Sequence, residues 1–367
     1  MATTKSSSVV TSKKSRWKPW VGKGILIILG LVASVLIFTT LIPQFASFSA
    51  GWEAAKAMPW YWFLGVILAS AFVIWVYPFT AIGAIPKLGY KAAFVDRQAG
   101  FVISTGIPWA GGGIAVATQY QVLAKYGVTQ RLAAAAVAAD AVWTYLITFG
   151  TPGVSLLLLF VVERRTVASQ YEFVALIGGL VFLVSAAVIV LILRSVAGAR
   201  AVGNFANSLL TLKPMRWVFR TIKRTPPDVA STVVGFNETA SEMVASRWKQ
   251  LTITNLLAQL SPLFVVIVTL YGLGASPGQV TWLEALVTYS VVLLVMSFPI
   301  APGGFGTVDA AFIGLLIYFG ADQGQATAVD IIWRGFTYLP QMLVGLIAFL
   351  VFWVDRRRGH TVKLEQA

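Results

Sequence analysis

The chain has 367 residues, 57% of them hydrophobic and 11% charged, with a mean hydropathy of +0.79, whereas an average soluble domain carries about 25% charged residues. A water-soluble globule is excluded, and so is an outer-membrane barrel with its alternating ten-residue segments, which leaves helices in a bilayer. With no cysteine and a single histidine, His360 in a basic tail, thiolate chemistry, a histidine triad and a zinc–histidine site are excluded. No metal or cofactor is expected, and the formal charge of +14 reads as cytoplasmic loops and anionic headgroups rather than nucleic acid.

Residues 1–23 hold six Lys/Arg and no acid, a basic tail that places the N-terminus in the cytoplasm. The apolar run Gly24–Ile42 is 19 residues long, more than a signal h-region of about 7–15, and no A-x-A site follows, so it reads as a retained anchor. Trp60–Ile85 returns the chain to the inside, where Lys87, Lys91 and Arg97 fall. Trp60, Tyr61, Trp62, Trp75 and Tyr77 read as belt and core aromatics.

The next apolar segment, near 99–120, is broken by Pro108 and by Gly111, Gly112 and Gly113. Such a break removes backbone bonds that hydrocarbon cannot replace, so the segment reads as a re-entrant hairpin with those residues at its tip. Gln119 and Gln121 beyond it are candidates for a polar path. Leu132–Val162 then crosses outward and Phe173–Leu193 crosses back, completing a first membrane half over 24–193.

Residues 194–249 form a basic cytoplasmic loop, with nine Lys/Arg against three acids. Within it, residues 213–224 interleave Trp217, Val218, Phe219 and Ile222 with five cations, as an interfacial amphipathic helix would. Leu251–Leu273 crosses outward, a second hairpin near 282–320 is broken around Pro302, Gly303, Gly304, Phe305 and Gly306, and Val329–Val354 is the last span. Together these make a second membrane half over 250–354, followed by a cytoplasmic tail, 355–367. Trp282, Glu284 and Tyr289 fall near the outer mouth of the second hairpin.

The hairpins look like copies. Shifting the sequence by 193 residues gives 14 identities over Val102–Leu146, among them Gly111/Gly304, Gly113/Gly306 and Gly127/Gly320. Three crossings separate the copies, and an odd number makes the repeat inverted, the plan of secondary transporters with a substrate site near the midplane. The fold class expected is an all-α polytopic membrane protein of about six transmembrane helices plus two re-entrant helical hairpins.

Ionisable groups at membrane depth cost about 2.5–3.5 kcal/mol each on insertion scales and face a cavity or a partner. Four stand out: Asp140, Asp309, Asp330 and Arg334. Asp309 is either a helix-start acid favoured by the dipole or a coupling-ion or headgroup contact beside the amides of Gly304, Phe305 and Gly306. Those amides suit an anion, although the glycines also serve a sharp turn. Arg334 stands four residues after Asp330, close enough for a helix-face pair or for bidentate contact with phosphate. Asp140 is read as a neutral acid, a proton-coupling site, or a partner of Arg131 or Arg334.

Ala301-Pro302-Gly303-Gly304-Phe305-Gly306, followed by Asp309 and an apolar run, resembles the Pro-Gly-Gly-x-Gly-x-x-acid signature of the lysylphosphatidylglycerol synthase transmembrane, or flippase-like, family. The Gly111–Gly113 break, with Tyr126-Gly127-Val128-Thr129 before an alanine-rich helix, is similar to that family's first repeat. The resemblance implies a polytopic domain that moves lipids or lipid-linked molecules between leaflets. Fused members add a soluble aminoacyl-transfer domain, for which the 13 residues after the last span leave no room, and no enzyme activity is expected. Members often place basic and acidic residues together near the start of the first-repeat helix, whereas Asp140 stands in an Ala/Val run.

The expected function is flipping a phospholipid or polyisoprenyl-linked amphiphile in the cell (inner) membrane, with both termini cytoplasmic. A non-transporting scaffold for envelope-lipid synthesis and a small-solute transporter are the alternatives. The expected partners are membrane lipids with an anionic headgroup, together with a homo-oligomer or envelope-synthesis protein and no nucleic acid.

Overall fold

The computed structural model describes residues 53, 56–107, 111–163, 169–211, 228–297 and 306–357. The basic N-terminal tail, the anchor Gly24–Ile42, the 213–224 segment, Pro108, the run 301–305 and residues 358–367 of the C-terminal tail lie outside these, while 355–357 continue the last helix. The described residues form eleven helices: α1 Trp60–Val76, α2 Phe79–Ala84, α3 Tyr90–Gly106, α4 Gly111–Lys125, α5 Gln130–Glu163, α6 Ser169–Arg194, α7 Val196–Leu210, α8 Val229–Gly272, α9 Trp282–Met296, α10 Thr307–Tyr318 and α11 Gln323–Arg357. No strand occurs among them.

Four stretches are long and apolar enough to cross a membrane: Trp60–Ala84, Gln130–Glu163, Ala240–Gly272 and Gln323–Val354. Each matches a span read from hydropathy. Their outer faces carry bare apolar side chains, such as Leu157, Phe160 and Val161 on α5 and Leu343, Ile347 and Leu350 on α11. Lipid is as apolar as leucine, so burying such groups between helices gains little there, and small residues and polar pairs hold the helices together instead. Ala133, Ala135, Ala136 and Ala139 of α5 are buried accordingly. At Gly345 of α11 a Cβ would lie 2.5 Å from the Gln98 carbonyl of α3.

The broken segments are pairs of short helices. α9 has 15 residues and α10 has 12, about 22 and 18 Å at 1.5 Å per residue, too short for a hydrocarbon core of about 30 Å. α3 and α4 fold back on each other: Gly100 lies against the Gln119 side chain, and a Cβ on Gly111 would meet the Ser104 carbonyl at 2.6 Å. The first broken segment starts earlier than its apolar content suggests, at Tyr90, because α3 takes up Lys91, Asp96 and Arg97.

The internal repeat is visible bond by bond. After α4, Val128 N–H donates to Leu123 O and Gly127 N–H to Ala124 O; after α10, Ala321 N–H donates to Leu316 O and Gly320 N–H to Ile317 O. The next helix opens with Ala133 N–H to Thr129 O in one copy and Ala326 N–H to Asp322 O in the other. Donors and acceptors all differ by 193 positions. Gly127 and Gly320 have φ of +81° and +114°, a left-handed helix end that favours glycine. The copies exchange partners, α3 packing on α11 and α9 on α5, with α1 and α8 in contact between them. That reciprocity is what a pseudo-twofold axis produces.

Candidate functional site

Asp96 and Arg97 fall in the middle of α3, and Asp140 lies ten residues into α5, about 15 Å along a helix long and apolar enough to cross a membrane. The Arg97 guanidinium spans the gap: Nη1 donates to Asp140 Oδ2 at 2.7 Å, and Nε stands 3.7 Å from Asp96 Oδ2. All three are sequestered, with side-chain exposures of 1% for Asp96, 5% for Arg97 and 14% for Asp140. Asp96 Oδ1 and Asp140 Oδ1 are buried without a hydrogen-bond partner among the described residues. Gln98 is tied by its Nε2 to the Ile74 carbonyl of α1 at 3.2 Å.

The second repeat builds a matching cluster. Arg334, eleven residues into α11, points Nε at Asp309 Oδ1 of α10 at 2.6 Å and at Asp330 Oδ1 at 3.6 Å. The other oxygen of Asp309 accepts the Gly306 N–H at 2.6 Å, where φ is +85°, so this aspartate both starts α10 and holds the arginine. Trp333 stacks on Phe312 at 4.9 Å and takes the edge of Tyr289, whose hydroxyl donates to the Gln259 carbonyl at 2.8 Å.

Each repeat therefore sets one arginine between two aspartates, with Asp140 ten residues into α5 in the first and Arg334 eleven residues into α11 in the second. Aromatic rings link them. Phe101 of α3, four residues after Arg97, lies 6.4 Å from Tyr77 and 6.2 Å from Tyr338, which is four residues after Arg334. A cavity of about 440 Å³ lies elsewhere, between the start of α1, the end of α8 and the start of α11, lined in part by Trp62, Tyr271 and Gln325.

Asp309, Asp330 and Arg334 are thus brought together as candidate residues, and Asp140 belongs to a separate cluster. Several expectations need correcting. Arg97 is not in a cytoplasmic loop with Lys87 and Lys91 but buried in α3, and it, rather than Arg131 or Arg334, holds Asp140. Arg131 donates to the Glu238 carbonyl instead. The nearer partner of Arg334 is Asp309, across the helix pair. The Gly306 amide is engaged by Asp309 and so is not open to an anion. Tyr289 is buried rather than at an outer mouth. Gly111, Gly112 and Gly113 open α4, whereas Pro108, Pro302, Gly303, Gly304 and Phe305 lie outside the described residues.

The sequence reading passes over Asp96 and takes Arg97 for a loop residue; the one signal against that lies in extending the repeat toward the N-terminus. Adding 193 to positions 96–98 lands on Tyr289-Ser290-Val291, inside the apolar helix α9, which marks the first copy as a helix despite its charges.

The family model of the lysylphosphatidylglycerol synthase TM region matches residues 26–345, and the chain belongs to that family. It is a membrane protein of a family associated with lipid synthesis and flippase-like function. No curated protein and no solved structure matches it.

Proposed function

We propose that the protein moves an anionic lipid, a phospholipid or a polyisoprenyl-linked amphiphile, between the leaflets of the cell membrane. The observation that carries this reading is the pair of arginine–diaspartate clusters, one in each of two repeats that pack on each other's long helices. In this reading the chain has about six spans with cytoplasmic termini, and the two broken segments are re-entrant hairpins entering from opposite faces. Rocking of α3–α4 against α11 and of α9–α10 against α5 opens the midplane to each side in turn. The protein works alone or with an envelope-synthesis partner, and as a transporter it makes and breaks no covalent bond.

The second cluster is the headgroup site. Arg334 presents a planar fork of donors that fits phosphate as well as carboxylate, and it meets Asp309 in the first turn of α10, the end of a helix where an anion is favoured. A phosphate that takes Arg334 displaces Asp309, whose hold on Gly306 starts α10. Headgroup arrival and the geometry of the hairpin are thereby coupled, with Asp330 left to balance the arginine.

Proteoliposomes loaded with fluorescent phospholipids of anionic, zwitterionic and polyprenyl-phosphate headgroups test the proposal. Transfer between leaflets above that of protein-free vesicles is expected, and Arg334→Ala and Asp309→Asn should abolish it. No transfer with any headgroup, or full transfer by both variants, rejects it. Cysteines at Gly112 and Gly304 test the topology, since they should react from opposite sides of the membrane.

A further inference from the structure

We infer that the Asp96–Arg97–Asp140 cluster of the first repeat binds a proton, and that this proton is the driving ion of the transport cycle. The second half of this inference rests on the transport reading above; the first does not. One guanidinium faces two carboxylates, so the ionised cluster carries one negative charge more than it neutralises. A buried charge without a counter-charge costs several kcal/mol, and one proton removes it.

The local geometry selects a proton over other ligands. Asp96 is 1% exposed, and its Oδ1 has no hydrogen-bond partner among the described residues; Asp140 Oδ1 is in the same condition. A proton on either oxygen supplies the missing donor without needing space. An anion that took Arg97 would strand Asp96 or Asp140 inside a helix, whereas Asp309 of the second cluster keeps its bond from Gly306 N–H, and a metal ion would have to displace the Arg97 guanidinium from between the carboxylates. The titratable groups that face the cluster are few. α5 contributes Asp140 and the turn after α1 contributes Tyr77, while α3 itself contributes Arg97. α4 brings Tyr126 against Val95, with Lys125 over the Phe352 ring, α11 brings Tyr338 against Phe101, and Arg247 of α8 donates to the Ile82 and Gly83 carbonyls, so among the described residues Arg97 is the cation ion-paired with Asp96 and Asp140.

The two clusters thus divide the labour that their shared architecture allows. In the second, Asp309 holds the start of a hairpin helix, so that ligand exchange there moves backbone. In the first, both acids sit within helices, α3 and α5, and exchange of a proton changes charge alone. A proton that enters at Asp96 from one face and leaves by Asp140 to the other is conserved in number and needs no co-reactant.

The test uses the full chain in phosphatidylglycerol-containing vesicles, with fluorescent phosphatidylglycerol as the probe and an imposed pH gradient. The gradient should accelerate wild-type transfer by about fivefold or more, the lower end of ordinary coupling between sites. Asp96→Asn and Asp140→Asn should abolish that acceleration, Asp96→Glu should restore it, and Asp322→Asn, at an exposed acid outside both clusters, should behave as wild type. Acceleration that persists in both asparagine variants overturns the assignment. The carboxylic-acid C=O stretch in infrared difference spectra between acid and alkaline pH provides a readout that needs no transport. A band present in the wild type and reduced in Asp96→Asn or Asp140→Asn supports the proton site even if no lipid moves, in which case only the transport reading falls. A difference spectrum unchanged by either substitution overturns the site itself.

Discussion

Replacing Arg97 by methionine keeps most of the side-chain length and removes the charge that two aspartates share. At an effective dielectric constant near 20, opposite unit charges 2.7 and 3.7 Å apart attract by about 6 and 4.5 kcal/mol before desolvation is counted. Desolvation cancels most of this, and breaking a buried pair by removing one partner costs about 3–5 kcal/mol. At about 2–4 °C per kcal/mol for a large domain, the apparent melting temperature should drop by on the order of 10 °C. The assay is the fraction of detergent-solubilised protein that stays monodisperse after heating. Only protons can neutralise the stranded carboxylates, so the folded variant binds more protons than its unfolded chain. Its stability therefore falls further as pH rises, by up to about 1.4 kcal/mol per pH unit for each proton held. The triple variant Asp96→Asn/Arg97→Met/Asp140→Asn leaves no charge behind and should recover most of the loss and all of the added pH dependence. An Arg97→Met protein that melts like the wild type, or a triple variant that melts as low as the single one, would show that the arginine does not hold this cluster.

Three further outcomes follow from the packing. Gly345→Ala forces a Cβ to within 2.5 Å of a backbone carbonyl and 3.0 Å of the Val102 Cβ; overpacking of about 1–3 kcal/mol should outweigh a helix-propensity gain of about 1 kcal/mol and lower the melting temperature. In contrast, Gly314→Ala, inside α10 with open space around it, should keep that gain and melt higher than the wild type. Gly127→Ala and Gly320→Ala strain left-handed residues and should each cost about 1–2 kcal/mol, with Gly320 the worse because its Cβ would also press the Gln279 carbonyl at 3.0 Å. Finally, the Asp228 carboxyl is held below its ordinary value by the Asn207 side chain and by the backbone and hydroxyl of Ser231. Its depressed value means that the cap on α8 is fully present above about pH 4 and is lost as pH falls through that value. Asp228→Ala should raise hydrogen exchange over residues 229–235 at neutral pH, and the wild type should match it only in strong acid.

The spans and breaks were readable in the sequence because each follows from local chemistry. A run of about 20 apolar residues has one stable form in a bilayer, and Gly127 and Gly320 declare a helix end by themselves. Arg97 was not readable in that way: a hydropathy window over Asp-Arg-Gln reports a loop, and only tertiary contact with a residue 43 positions later shows why charge is tolerated there. Arg334 illustrates the same limit. Spacing along α11 suggests Asp330 as its partner, but the shorter contact is to Asp309 of α10, chosen by how α10 lies on α11. The helix-start role of Asp309, by contrast, followed from its position after the glycines and is present as a bond to Gly306.

The exchange of partners between the repeats has a consequence for synthesis. α3 folds on α4 at once but meets its partner in the other repeat only when α11 emerges, since Gln98 lies against a glycine 247 positions later, at Gly345. Closing so long a separation costs chain entropy before any contact returns it. Until then the first repeat waits in the membrane with its α11-facing surface uncovered. α11, made after the other described helices, completes both halves at once, so a truncation ahead of Gln323 would disable the repeat it does not touch as surely as the one it shortens.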